Sequence, residues 1–376
     1  MLRPFRQRGA FRLRPWVVAL TVVAALLCAG CSDPGEDGAV GADGGGRTTL
    51  RVLFAGSLII PFAQLEEEFE AAHPDIDVYM EGHGSIQAVR IVGDLHEQAD
   101  VVISADHRLI PMLLYQVDDP RTGKPYADWS IVFATNKMVL AYTPTSAFAD
   151  DVQAGDWFEI MNREGVRLGI SDPRLDANGY RGLMTVKLAE DFYDRPDLFA
   201  DTFGGVFRVP VRASETADGT LITVPEVLET KSGSHVVLRP FSVNLLPLIK
   251  SGDLDYAFEY ESVVIQHGLE YVSLPPEIHL GDDAYASVYD DVTVKLDFQR
   301  FASVKPEFLG EPIRYGATIP SNTRDQEAAE LLLAFLLGPE GQRIMSENYQ
   351  PMIMPASTDN FDALPESLKA FCTSGD

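Results

Sequence analysis

Strand, Gly-Ser turn, helix: this order occurs twice in the first third of the chain, and it narrows the fold more than any other feature. Leu50, Val52, Leu53 and Phe54, broken by Arg51, make an apolar run of buried-strand length. The turn Ala55-Gly56-Ser57-Leu58 follows, then Pro61 at a first helical turn. Phe62, Leu65, Phe69 and Ala72 recur at helical spacing, with Glu66, Glu67, Glu68 and Glu70 between them as a solvated face. The pattern returns with Ile76-Asp77-Val78-Tyr79-Met80 as a strand, Glu81-Gly82-His83-Gly84-Ser85 as a turn, and Ile86, Val89 and Val92 as a helical face. Residues 99–103 form a third apolar strand, closed by Ser104-Ala105-Asp106-His107. Strands alternating with helices predict an α/β fold with a parallel sheet covered on both faces. Ser57 and Ser85 then share one sheet edge, at helix N-termini whose free N–H groups suit an anion. Taken alone, the first of these motifs reads more readily as an ordinary serine cap.

Residues 1–30 carry Arg3, Arg6, Arg8, Arg12 and Arg14, no acid, and an apolar run over residues 16–27. That is the layout of a secretory signal, too short for a typical spanning helix. It ends Leu27-Cys28-Ala29-Gly30-Cys31, which resembles a lipobox, with Cys31 the acylated residue after cleavage. Ordinary signal cleavage, with Cys31 a bystander, is the alternative. Residues 31–47 are rich in Gly, Asp and Ala without apolar periodicity and read as a flexible tether. Cys372 is then the one remaining cysteine, so no disulfide framework or cysteine metal site can be built. A chain of this length relies instead on a large core, expected as two lobes. The net charge is −26, and losing the signal makes it five units more negative. Nucleic acid and anionic membrane surfaces are poor partners for such a chain. A small anion remains admissible, because backbone N–H groups and hydroxyls bind one locally.

Further on, Ile131-Val132-Phe133-Ala134-Thr135 and Met138-Val139-Leu140-Ala141-Tyr142 are consecutive extended segments, read as a crossing into a second lobe. Ser171-Asp172-Pro173-Arg174-Leu175-Asp176-Ala177-Asn178-Gly179 is a polar turn before a helix, where Asp176 or Asn178 suits a cap. Residues 201–234 show no clear periodicity apart from Leu221 to Val227 and read as a surface excursion. Tyr256-Ala257-Phe258-Glu259-Tyr260-Glu261-Ser262 reads as a strand leaving the second lobe. His83 and His107 read as loop or surface residues, since no second histidine stands at metal spacing.

Together with these, Asn178-Gly179-Tyr180-Arg181, Ser251-Gly252-Asp253-Leu254-Asp255-Tyr256, Tyr315-Gly316-Ala317-Thr318-Ile319-Pro320 and the Leu-Leu-Gly-Pro-Glu-Gly-Gln end of the last long helix carry a specific resemblance. Over residues 48–356 the chain resembles extracytoplasmic solute-binding proteins of ABC importers, most of all the molybdate/tungstate-binding proteins of archaeal type. The resemblance implies a two-lobed type II periplasmic-binding-protein fold, each lobe a mostly parallel sheet covered by helices and joined by crossing strands. Lobe 1 is expected over 48–138 and 262–376, lobe 2 over 139–261. It implies a monomeric, membrane-anchored, extracytoplasmic lipoprotein that hands a tetrahedral oxyanion, tungstate or molybdate, to a membrane permease, with no cofactor and no catalysis. Gly56, Ser57 and Ser85 match donors to the oxyanion from the first lobe. Asp176 matches a carboxylate that approaches the metal centre of the oxyanion, Ala177 and Asn178 match neighbours in its loop, and Tyr260 matches a hydrogen-bonding tyrosine. Ser242 departs from the pattern, which has a second metal-directed Glu there. Sulfate or phosphate is the alternative ligand. The alternative class is a hydrolase using Ser57 or Ser85 with His83 and Asp176, which no Gly-x-Ser-x-Gly elbow supports.

Overall fold

β1 (Thr48–Ala55) buries Leu50, Val52, Leu53 and Phe54 almost completely, and a strand without a polar face belongs inside a covered sheet. The computed structural model describes residues 47–152, 156–297 and 306–375. The expected signal, Cys31 and the tether up to residue 46 lie outside the described residues. β2 (Ile76–His83) and β3 (Val101–Ser104) flank β1 in parallel, and the helices Ile59–Ala72 and Ser85–Gly93 make the crossovers. A small hairpin, β4 (Asp118–Asp119) with β5 (Lys124–Pro125), precedes β6 (Ile131–Thr135).

Asn136 and Lys137 alone separate β6 from β7 (Met138–Tyr142), yet the two strands belong to different sheets. The crossing from the first sheet to the second lies here. Beyond it come β8 (Leu168–Ser171), β9 (Arg212–Thr216), β10 (Gly219–Pro225), β11 (Val236–Arg239), β12 (Tyr256–Tyr260), β13 (Glu270–Ser273), β14 (Val292–Asp297) and β15 (Glu307–Leu309). β16 (Arg314–Thr318), β17 (Met352–Thr358) and β18 (Cys372–Ser374) complete the chain. The first lobe is a seven-stranded sheet ordered β18-β17-β6-β16-β3-β1-β2, and the second a five-stranded sheet ordered β11-β8-β12-β7-β13. Each holds a parallel block, with antiparallel strands beside it.

Three expectations are corrected. β13 pairs with β7, and β14 and β15 join β9 and β10 in a four-stranded sheet ordered β15-β14-β10-β9. By sheet membership the chain returns to the first lobe only at β16, not at residue 262, and Glu261–Gln266 is a helix rather than the end of a strand. Residues 212–225, read as part of a surface excursion, are the hairpin of that extra sheet; Thr220, Ile222 and Val224 supply its buried face. The extra sheet explains the helix Ala177–Phe192, buried along its length from Ala177 to Glu190. The second-lobe sheet covers one side of it and β14 the other, and Phe308 of β15 stacks on Tyr180 with ring centroids 4.4 Å apart.

Candidate functional site

The parallel strands of the two lobes aim their C-terminal ends at one another, and a small cavity of about 10 Å³ lies between. Its first-lobe wall is Ala55, Gly56 and Ser57 after β1, His83 at the end of β2, and Ala105 after β3. Its second-lobe wall is Asp176 after β8, Phe241, Ser242 and Val243 after β11, and Tyr260 at the end of β12. Such a meeting of strand C-termini is where α/β sheets hold ligands. The cavity's volume is about one water-sized sphere, far below the roughly 300 Å³ at which pockets for organic ligands begin.

Of the eight residues expected at the site, Gly56, Ser57, Asp176, Ser242 and Tyr260 stand on the wall. Ser85, Ala177 and Asn178 are buried but do not form it. Their places follow from local hydrogen bonding. Ser85 Oγ accepts the Ala105 N–H at 2.9 Å, which fixes Ala105 on the wall. Asn178 Nδ2 donates to Glu259 Oε1 at 3.3 Å. Gly179 is needed where the helix start crowds the turn before it, since a Cβ there would lie 2.7 Å from Pro173 N. Neither serine caps its helix: the N-cap positions are Leu58 and Gly84, and no side-chain cap bond is made. His83, expected on a loop or the surface, is on the wall, and its Nε2 is buried without a hydrogen-bond partner.

The hydroxyls on the wall are held from behind. Asn136 Oδ1 takes the Lys137 N–H, and its Nδ2 faces Ser262 Oγ at 2.8 Å, Gln350 Oε1 at 3.2 Å and Tyr315 Oη at 3.3 Å. Tyr315 Oη lies 2.9 Å from Ser57 Oγ, and either hydroxyl can be the donor. Burial pushes the Tyr315 phenol up to about 12, so it stays protonated. Tyr260 Oη accepts from Arg181 Nη1 at 2.8 Å, which leaves its hydrogen for the cavity. Burial also lifts the Tyr260 phenol well above its ordinary range. Sequence reading missed Arg181 and Tyr315 as site residues, although both lie in the motifs that carried the resemblance.

Asp176 is the one carboxylate on the wall. Its Oδ2 accepts the Ser242 N–H at 2.8 Å, and its Oδ1 faces the Asn178 N–H at 3.5 Å as the N-cap of the long helix. Burial pushes its pKa up, and these N–H groups oppose the shift. Behind it, burial pushes the Glu259 carboxyl up to about 8, and the Asp176 charge pushes the same way. Glu259 Oε1 accepts the Tyr260 N–H at 2.8 Å, whereas its Oε2 is buried without a hydrogen-bond partner.

Asp106, His107 and Glu311 bring ligand atoms within 4.8 Å of one another nearby. Arg108 takes Glu311 Oε2 at 2.5 Å, and Arg181 stands 3.8 Å from Asp106. Two guanidinium groups thus occupy the surroundings that a cation would need, and the cluster is an ion-pair network.

The lobes also touch directly. Gln87 N donates to Leu175 O at 3.3 Å, Tyr180 Oη to the Asp106 carboxylate, and Arg181 Nη1 to Ala105 O at 2.8 Å. Gly84 sits where a Cβ would lie 2.8 Å from Phe241 Cδ1 and inside contact distance of Leu175 O.

Known proteins are similar to this chain over most of its length. The family model described as "Bacterial extracellular solute-binding protein" matches residues 50–349. The molybdate/tungstate-binding protein of Thermococcus kodakarensis is 36% identical over 362 residues, covering 94% of this chain and 95% of its own length. That of Pyrococcus abyssi is 36% identical over 368 residues, covering 95% and 98%. Among solved structures, the periplasmic molybdate-binding protein of Azotobacter vinelandii is 16% identical with a TM-score of 0.49, covering 80% of this chain and 98% of that one. The chain belongs to the family of bacterial extracellular solute-binding proteins.

Proposed function

We propose that the protein captures a tetrahedral oxyanion, molybdate or tungstate, between its lobes and delivers it to the permease of an ABC importer. The observation that carries this reading is a pair of hydroxyls facing one small cavity from the two lobes: Ser57, held 2.9 Å from Tyr315 Oη, and Tyr260, which accepts from Arg181 and so keeps its hydrogen for a ligand. Gly56, at the N-terminal turn before the helix Ile59–Ala72, adds backbone N–H character on the same side. The names of the archaeal relatives support the choice of ion. Ser85 and Asn178 act by holding Ala105 and the Asp176 loop, and Ala177 fills the space behind that loop. In this reading Asp176 approaches the metal centre of the bound oxyanion. The protein is a monomer, exported and held at the membrane through a lipid on Cys31. The hydrolase alternative gains no nucleophile–base pair: Ser57 bonds Tyr315, and Ser85 accepts a backbone N–H.

Sulfate is the second reading, favoured by one observation: Ser242 stands where a second carboxylate would be, leaving Asp176 alone on the wall. Elemental analysis of protein purified from medium holding molybdate, tungstate, sulfate and phosphate tests both. Molybdenum or tungsten at one atom per chain supports the first reading; sulfur beyond the protein's own content with neither metal supports the second; a phosphorus-loaded or empty protein defeats both. Calorimetry of Asp176→Ala then tests the carboxylate. If it touches the metal centre, the substitution weakens tungstate and leaves sulfate unchanged or tighter.

A further inference from the structure

We infer that Arg181 is the buried counter-charge of this cavity, acting through Tyr260, and that it makes the site prefer a dianion over a monoanion of the same shape. The inference rests on the oxyanion reading above and adds to it the basis of charge selection.

Arg181 lies inside the helix Ala177–Phe192, with only 3% of its side chain exposed. A guanidinium is always charged, and burying one is costly unless hydrogen bonds and an opposite charge complete it. Two bonds are present: Nη1 donates to Ala105 O of the first lobe and to Tyr260 Oη of the second, each at 2.8 Å. Both acceptors belong to cavity-wall residues, and both are neutral. The carboxylate nearest Arg181 is that of Asp106, 3.8 Å from Nη2 and beyond hydrogen-bond distance. It is already engaged by the Tyr180 hydroxyl and the Arg108 N–H. Glu311 is engaged by Arg108. Asp176 gives its oxygens to N–H groups of its own loop and of Ser242. Among the described residues the positive charge therefore has no ion pair shorter than the 3.8 Å to Asp106, while its one side-chain hydrogen bond polarises a hydroxyl whose hydrogen is free to point into the cavity. Donation from a cation to Tyr260 Oη strengthens the donation that Tyr260 makes to a ligand. A dianion gains more from this than a monoanion does.

The test compares tungstate with perrhenate, a tetrahedral oxyanion of the same shape and one unit less charge, by titration calorimetry on wild type, Arg181→Gln and Tyr260→Phe. Arg181→Gln keeps hydrogen-bond donors and removes the charge. The expected result is that it weakens tungstate at least tenfold more than perrhenate, and that Tyr260→Phe also narrows the tungstate-to-perrhenate ratio. A purely structural role in joining the lobes would weaken both anions by the same factor, and that result overturns the inference. If Arg181→Gln does not fold, Tyr260→Phe decides alone: an unchanged ratio overturns the inference, and a narrowed one supports it. Failure of the wild type to bind any tetrahedral oxyanion would instead defeat the oxyanion reading, and this inference with it.

Discussion

Replacing Gly84 by alanine should weaken anion binding without unfolding the protein. Gly84 has φ −66° and ψ 144°, a conformation open to any residue, so backbone strain gives no reason for a glycine. Space does. A Cβ would stand 2.8 Å from Phe241 Cδ1, against the roughly 3.5 Å of comfortable carbon–carbon contact, and would also press on Leu175 O. Gly84 follows a strand of the first lobe, whereas Leu175 and Phe241 belong to the second. The methyl group is therefore a wedge between lobes and burdens only the state in which they meet. Overpacking of this kind costs about 1–3 kcal/mol. That corresponds to a dissociation constant raised roughly 5- to 150-fold. The bond from Gln87 N to Leu175 O at 3.3 Å would go with it. Titration calorimetry with tungstate measures the affinity, and thermal unfolding without anion measures the fold. An affinity within twofold of wild type would refute the reasoning, because the lobes would then not need this contact. A lowered melting temperature in the anion-free protein would refute the claim that the burden falls on the closed state alone.

Tyr315→Phe removes the group that orients Ser57 and should weaken oxyanion binding several-fold, since a hydrogen bond to a charged partner is worth roughly 1.5–3 kcal/mol and a misaligned donor forfeits part of it; calorimetry indistinguishable from wild type would mean that Ser57 orients itself. Glu259 is held up to about 8, above its ordinary value of 4.5, so its neutral form favours folding at low pH and that contribution is lost as pH rises toward 8. Wild type should therefore lose more thermal stability than Glu259→Gln between pH 5 and pH 8, by at most about 1.4 kcal/mol per pH unit; parallel melting curves would count against a buried proton there. Cys31→Ala should move the protein from the membrane fraction to the soluble extracytoplasmic fraction, and continued sedimentation with membranes would rule out the lipid anchor.

The strand–turn–helix repeats at Ser57 and Ser85 were legible because their signals are local: an apolar run, a glycine, a helical spacing. The return crossing was not legible. β13 looks like any short strand, and only its pairing with β7, about 130 residues earlier in the chain, assigns it to the second lobe. The β9–β10 hairpin hid for a related reason: β9 is exposed along its whole length, so only half of the hairpin carries alternation. At the site, Gly56, Ser57 and the Asp176 cap are turn chemistry, whereas Ser242 and Tyr260 enter only through the family resemblance and the groups behind them were not legible. Tyr315 reaches Ser57 from 258 residues away. Arg181 takes its place only when the fold brings Ala105 of the first lobe and Tyr260 of the second to its side chain.

The place of β16 has a consequence for how the molecule is made. It lies between β6 and β3, in the middle of the seven-stranded sheet, yet it is supplied by residues 314–318. The five- and four-stranded sheets draw only on residues 138–309. A chain emerging N-terminus first thus presents β3 and β6 with unpaired edges until the second lobe has passed. At roughly 5–20 residues per second, the interval from Ser104 to Arg314 lasts roughly 10–40 s. During it the open edges are templates for the wrong partner. The first lobe begins earlier and finishes later, so its assembly is paced by the one threaded between its halves, and slowing β16 would leave a species with a folded second lobe and a gapped first sheet.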